Sequence, residues 1–178
     1  MNTITLQDKT FEIFINEKNI TELVNTVADS INNSKIEAPL FIAIMNGAFI
    51  FAADVMRKIT IPNSEISFVK LSSYVGTKTS GEVNQLIGIN NDIAGRNIIV
   101  LEDIVETGIT LENIINLLKK ENVNDIKIAT LLFKPDSYKK DFLIDYVGKS
   151  IYNDFVVGYG LDYNELGRNL KHIYKLKN

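Results

Sequence analysis

Apolar positions along the chain change period several times, and the changes mark out the elements. In "TFEIFINEKNITELVNTVADSINN" residues Phe11, Ile13 and Ile15 alternate, which predicts a short strand. Ile20, Leu23, Val24, Val27, Ala28 and Ile31 then fall at helical spacing, the signature of an amphipathic helix. "APLFIAIMNGAF" is apolar without interruption until Asn-Gly, as in a buried strand that ends in a tight turn. "IFAADVMRKI" predicts a second helix, "EISFVKL" a strand, "RNIIVL" another, and "TLENIINLLKK" a helix whose closing lysines suit its C-terminal dipole. "DIKIATLLF" predicts a further strand, and "FLIDYV", "FVVGYG" and "HIYKL" three short ones. Strand and helix alternate through Phe133, which argues for an α/β fold, a parallel sheet with helices on both faces. "SSYVGTKTSGEVN" is rich in Ser, Thr and Gly and predicts an exposed loop.

The 178 residues, 46% of them hydrophobic, suit a single domain with a core of ordinary size and no repeat or linker. No cysteine is present, which removes disulfides, thiolate zinc sites and a cysteine nucleophile, and fits a cytoplasmic protein. "MNTITLQDKT" lacks the basic and apolar regions of a secretory signal. No apolar run approaches the roughly 20 residues that span a bilayer. A net charge of -3 argues against general nucleic-acid binding, which depends on clustered Lys and Arg.

Candidate chemistry is concentrated in "NIIVLEDIVETGITLENI". An apolar strand ends in Glu102 and Asp103, at the edge where open α/β sheets bind ligands. Glu106 follows, then Thr107, Gly108, Ile109 and Thr110 lead into a helix. Free N–H groups at a helix start, with hydroxyls beside them, make a phosphate site. An ordinary N-cap explains Glu106 and Glu112 equally well, but it leaves two adjacent acids at the end of a buried strand without a reason. Other nucleotide motifs fail. "GYGLDY" has only two of the glycines of a dinucleotide loop, and "GKS" at Gly148 to Ser150 would need a glycine where Leu143 stands.

"VLEDIVETGITL" resembles the phosphoribosyl pyrophosphate signature of type I phosphoribosyltransferases. "IMNGAFIFAADV", "KLSSYVGTKTSGEV", "LLFKP" and "FVVGYGLDYNELGRNL" follow the order seen in hypoxanthine-guanine phosphoribosyltransferases, and the likeness runs from about Leu40 to Leu176. The resemblance implies one domain over residues 1–178: a mostly parallel twisted sheet flanked by helices, a small hood from the N-terminal strand region and about residues 135–178, and a mobile lid at about 72–84. It implies a magnesium-dependent salvage reaction in which N9 of a 6-oxopurine displaces pyrophosphate from C1 of phosphoribosyl pyrophosphate. Homodimers or homotetramers are usual in such a family.

The implied roles follow the motifs. Thr107, Gly108, Ile109 and Thr110 cradle the 5-phosphate. Glu102 and Asp103 face the ribose hydroxyls, directly or through Mg2+. Glu106 stands where many relatives have the aspartate that takes the purine N7 proton, and Ile109 where several have Lys. Lys134 donates to the purine O6, a contact adenine cannot accept. Phe155 stacks on the base, and the main chain of Val156 reads its edge. Asp162 lies beside a second magnesium, though a turn in "LDYN" explains it too. Asn46, Gly47 and Arg168 hold pyrophosphate, with a cis peptide between Asn46 and Gly47. Ser73 and Tyr74 belong to the lid. His172 has no catalytic role. Two rivals share these motifs: a regulator that senses phosphoribosyl pyrophosphate or nucleotide, and a salvage enzyme that prefers xanthine.

Overall fold

The computed structural model describes residues 2–72, 84–87 and 93–177. The expected lid falls largely between these segments, so Ser73 and Tyr74 lie outside the described residues.

The central sheet is built from β3 (Leu40–Ile44), β4 (Glu65–Ser72), β5 (Asn84–Ile87), β6 (Asn97–Val105), β7 (Asp125–Phe133) and β8 (Tyr146–Ser150). Its order is β5-β4-β3-β6-β7-β8, with only β5 antiparallel to its neighbour. Helix α1 (Glu17–Asn32) leads into β3, and α2 (Phe49–Met56) and α3 (Ile109–Lys120) are crossovers between parallel strands of the sheet.

Both faces of the sheet are buried at its centre, which is why β3, β6 and β7 are largely apolar rather than alternating. Phe41, Ala43, Ile99 and Leu101 point to the side covered by Ile20, Val24, Val27 and Ile31 of α1 and Phe51, Ala52 and Val55 of α2. Leu40, Ile42, Ile98 and Val100 point to the other, covered by Leu111, Ile114, Ile115 and Leu118 of α3. Each such side chain is worth about 1.5–3 kcal/mol when fully removed from water, so this double layer holds the strand ends, and the acids on them, in fixed register.

A second sheet joins the two ends of the chain. β1 (Thr3–Leu6) and β2 (Lys9–Ile15) form a hairpin, β10 (Ile173–Leu176) pairs with β2, and β9 (Val156–Val157) closes the order β1-β2-β10-β9, all antiparallel. The lone histidine ties this sheet to α1: Nδ1 of His172 accepts the Glu17 N–H at 2.9 Å, at the start of the helix.

Several elements depart from the sequence expectation. β1 was not expected, because "TITL" buries none of its four residues and carries no packing signal. β6 runs through Val105 instead of ending at Leu101, since Ile104 and Val105 keep register with Leu132 and Phe133. "FLIDYV" becomes a strand only from Tyr146. Before it, the Asp145 carboxylate accepts the Ile128 N–H at 2.9 Å, so a side chain occupies the place of a ladder bond. β8 therefore belongs to the central sheet rather than to the hood expected for residues 135–178. "FVVGYG" is a strand for only two residues, because Gly158, Tyr159 and Gly160 all turn to positive φ (98°, 53° and 101°).

The cis peptide is also corrected. It joins Met45 to Asn46, not Asn46 to Gly47. The Met45 N–H still donates to Val69 O at 2.8 Å, so the chain leaves the sheet at the next peptide, and the Ala48 N–H closes the turn onto Ile44 O at 3.2 Å.

Candidate active site

The carboxyl ends of β3 and β6 and the start of α3 converge on one crevice. Residues 102–111 line a cleft of about 260 Å³ there. Gly108 precedes α3 with φ +81°, where glycine carries no steric penalty. A Cβ at Gly108 would lie 2.7 Å from Cε2 of Tyr138 and 2.8 Å from Cγ of Lys140, so the cradle is packed from behind by the chain after β7. The Ile109 N–H approaches Oγ1 of Thr107 at 3.5 Å, and Thr110 is exposed. The N-cap of α3 is Gly108 and no side chain caps the helix, so neither Thr107 nor Thr110 serves as its cap. Ile109 is 57% exposed and lines the cleft.

Glu102 is 8% exposed, and burial, with Asp103 beside it, pushes its carboxyl well above the usual carboxylate range. Burial also raises Asp103, to about 6, against the opposing effects of the Ile104 N–H on its Oδ1 at 2.8 Å and of the Arg168 charge. Among the described residues no salt bridge reaches either acid. Two buried acids held in this state are suited to a cation or to hydroxyl donors.

A pH dependence follows for the ligand-free protein. The raised Asp103 pKa means that the native state keeps a proton that the unfolded chain loses near pH 4. The stability due to the protonated form is full below about pH 4 and lost as pH rises through about 6. Asp103→Asn should therefore be more stable than the parent by roughly 1–3 kcal/mol at pH 7.5, with the gap closing by pH 4. Urea titrations at both pH values would measure this, and a gap independent of pH would show that Asp103 is not the titrating group.

The turn after β3 presses on the same acids. A Cβ at Gly47 would lie 1.8 Å from Oδ2 of Asp103. Gly160 stacks against this turn from the far side, its missing Cβ leaving room for Gly47 O, which would otherwise be 2.1 Å away. Arg168 donates through Nη1 to Gly160 O and through Nη2 to Oδ1 of Asp162, both at 2.7 Å. The other Asp162 oxygen accepts the Glu165 N–H at 2.7 Å, so the turn explanation of Asp162 describes its geometry. The fold thus brings Asn46, Gly47, Asp103, Asp162 and Arg168 together.

At the ends of β6 and β7 Lys134 is only 6% exposed, and its Nζ pairs with Oε1 of Glu106. The Lys134 N–H donates to Val105 O at 2.9 Å, which sets the two residues side by side at the ends of β7 and β6. Phe155 is 43% exposed and stands edge-on to Tyr163 at 5.8 Å and tilted against Phe11 at 6.1 Å. Lys9 Nζ lies 5.5 Å from the Phe155 ring and 4.7 Å from the Tyr163 ring. Val156 is on the outer strand of its sheet. The Leu176 N–H donates to Phe155 O, so Val156 and Lys175 form the non-hydrogen-bonded pair, and both main-chain groups of Val156 point away from β10.

Sequence reasoning missed Gly160, Tyr159 and Lys9. "GYG" signalled a turn but not its partner, and Lys9 is brought to Phe155 only by the pairing of the two chain ends.

Comparison with known proteins agrees with this geometry. Residues 13–164 match the phosphoribosyl transferase domain. The chain is 41% identical over 167 residues to a hypoxanthine-guanine phosphoribosyltransferase of Staphylococcus epidermidis, covering 93% of each chain. It is 39% identical over 168 residues to the enzyme of that name from Staphylococcus aureus, again covering 93% of each. Among solved structures, a hypoxanthine-guanine phosphoribosyltransferase of Bacillus anthracis superposes with a TM-score of 0.83 at 36% identity, over 94% of this chain and 97% of that one. A hypoxanthine phosphoribosyl transferase of Trypanosoma cruzi gives 0.85 at 28% identity, over 98% and 95%.

Proposed function

This chain belongs to the phosphoribosyl transferase family, and we propose that it is a purine salvage enzyme that transfers 5-phosphoribosyl from phosphoribosyl pyrophosphate to hypoxanthine or guanine. The observation that carries the reading is the Lys134–Glu106 pair at the mouth of the cleft formed by residues 102–111. A 6-oxopurine offers an acceptor at O6 and a proton at N7. The pair offers a donor and a base side by side.

In this reading Thr107 to Thr110 hold the 5-phosphate, and Glu102 and Asp103 accept from the ribose hydroxyls. Asn46, Gly47 and Arg168 hold pyrophosphate. Phe155 stacks on the base while Val156 reads its edge. As the N9–C1 bond forms and the C1–oxygen bond to pyrophosphate breaks, Glu106 takes the N7 proton. Lys134 donates to O6 and would lose its only acceptor on adenine, the basis for rejecting that purine. Magnesium would be held by Glu102 and Asp103, with a second ion and its waters beside Asp162, and would screen the charge on pyrophosphate. The raised carboxyls of Glu102 and Asp103 suit a cation site. Ile109 leaves the 5-phosphate to backbone N–H groups and hydroxyls. A cytoplasmic homodimer or homotetramer completes the proposal; among the described residues no helix is long and apolar enough to cross a membrane.

The test is direct. The protein is mixed with Mg2+, phosphoribosyl pyrophosphate and hypoxanthine, guanine, xanthine or adenine in turn, and nucleotide and pyrophosphate are measured. IMP and GMP should form and AMP should not. Absence of turnover with every 6-oxopurine would overturn the assignment, and a preference for xanthine would change its substrate.

A further inference from the structure

Tyr159 is buried and has no part in the chemistry above, yet it is the most unusual residue of its loop. It is a non-glycine at φ 53°, flanked by two glycines also at positive φ. Left-handed backbone at a bulky residue persists only where surrounding contacts enforce it. Three main-chain bonds pin the loop: Gly158 N–H to Leu161 O, Tyr159 N–H to Leu170 O and Gly160 N–H to Arg168 O, each 2.9 Å. The phenol packs into the core beneath the central sheet, and its O–H donates to Oδ2 of Asp54 at 2.6 Å.

Asp54 is out of place as a helix residue. It sits in the last turn of α2, where the helix dipole disfavours an acid. The same helix begins at the Asn46–Gly47 turn. The loop therefore touches the turn, at Gly160 against Gly47, and the helix that follows it, at Tyr159 against Asp54. On its other side the loop continues directly from Val156 and Val157.

We propose that the Tyr159–Asp54 hydrogen bond is a positioning contact that fixes the pyrophosphate turn relative to the purine-reading edge. The proposal rests on the transferase reading above. Neither side chain touches substrate, and both act through Gly160, Gly47 and the start of α2. Losing the bond lets the two half-sites move apart. Orientation errors of this size cost far more than the hydrogen bond itself, because bond formation needs both reactants in line.

The experiment uses steady-state kinetics on the full chain, with melting curves to report folding. Wild-type turnover of hypoxanthine, guanine and xanthine comes first, and its failure with all three would overturn the transferase reading and this inference with it; where another 6-oxopurine is the better substrate, it replaces hypoxanthine below. Given turnover, Tyr159→Phe and Asp54→Ala should each lower kcat/KM for phosphoribosyl pyrophosphate about tenfold or more and raise KM for hypoxanthine in parallel. The double variant should be no worse than either single one. Asp54→Asn keeps an oxygen that accepts the phenol, and should stay within about threefold of wild type. Values for Tyr159→Phe within about threefold of wild type, additive losses, or an Asp54→Asn as impaired as Asp54→Ala would each overturn the proposal. If Tyr159→Phe does not fold, the contrast between the two Asp54 variants decides.

Discussion

Glu106→Gln should lower kcat for IMP formation by about 10²–10³-fold, within the range ascribed to a positioned general base, while KM for phosphoribosyl pyrophosphate stays within about threefold. Glutamine keeps the length of the side chain and an oxygen that can accept from Lys134 Nζ, but it cannot take a proton. The variant thus separates two functions of one residue: a partner for a buried ammonium, which Gln still partly serves, and a base, which it does not. Glu106→Ala should do worse in a different way. It leaves Lys134, 6% exposed, without its counter-ion; because the Glu106 side chain is half exposed and water can take its place, the cost is that of one unsatisfied polar group, about 1–3 kcal/mol. Ala should therefore lose stability as well as turnover, whereas Gln should lose mainly turnover. Single-turnover rates and urea titrations on both variants would show the split. A Gln variant with wild-type kcat would remove Glu106 as the base.

The same pair shows how far the sequence could be read. Glu106 was visible as an acid beside a helix start, and Lys134 as a lysine ending an apolar strand. Their contact was not visible, because it depends on β6 running to Val105 and keeping register with β7 up to Phe133. The central sheet was legible for a simple reason. Its central strands are buried on both faces, so hydrophobicity alone marks them, and the period changes sharply at each helix. The second sheet was less so. β1 has no fully buried residue, β9 has two residues, and the sheet they edge joins opposite ends of the chain. Close backbone approaches left the weakest trace. "NG" and "GYG" each signalled a turn, but what fills the space of a missing Cβ is a tertiary fact. For the same reason the cis peptide was placed one residue late, since hydrogen bonding of Met45 to β4, not the sequence of the turn, decides where the strand ends.

Those two glycines give the second large effect, and they should fail differently. Gly47→Ala should leave the fold nearly intact and lower affinity for phosphoribosyl pyrophosphate about 100-fold, on the scale of a misplaced substrate-positioning group. Gly47 is not among the glycines with positive φ, so its backbone accepts a side chain. The obstacle is the Asp103 carboxylate, whose Oδ2, Cγ and Oδ1 would lie 1.8, 2.6 and 3.0 Å from the new Cβ. A carboxylate can swing aside at small cost to the fold. It cannot do so and still face the ribose hydroxyls, so the damage falls on binding. Gly160→Ala meets a different neighbour. Its φ is 101°, and its Cβ would sit 2.1 Å from the main-chain oxygen of Gly47, which has no rotamer to change. This variant should lose stability, by several kcal/mol on the scale of backbone incompatibility and overpacking. The melting temperature should thus drop for Gly160→Ala and hardly move for Gly47→Ala, while both lose activity. Adding Asp103→Asn to Gly47→Ala should cost little further affinity, because the first change has already displaced that carboxylate. Full additivity of the two losses would mean that Gly47 acts on pyrophosphate directly and not through Asp103.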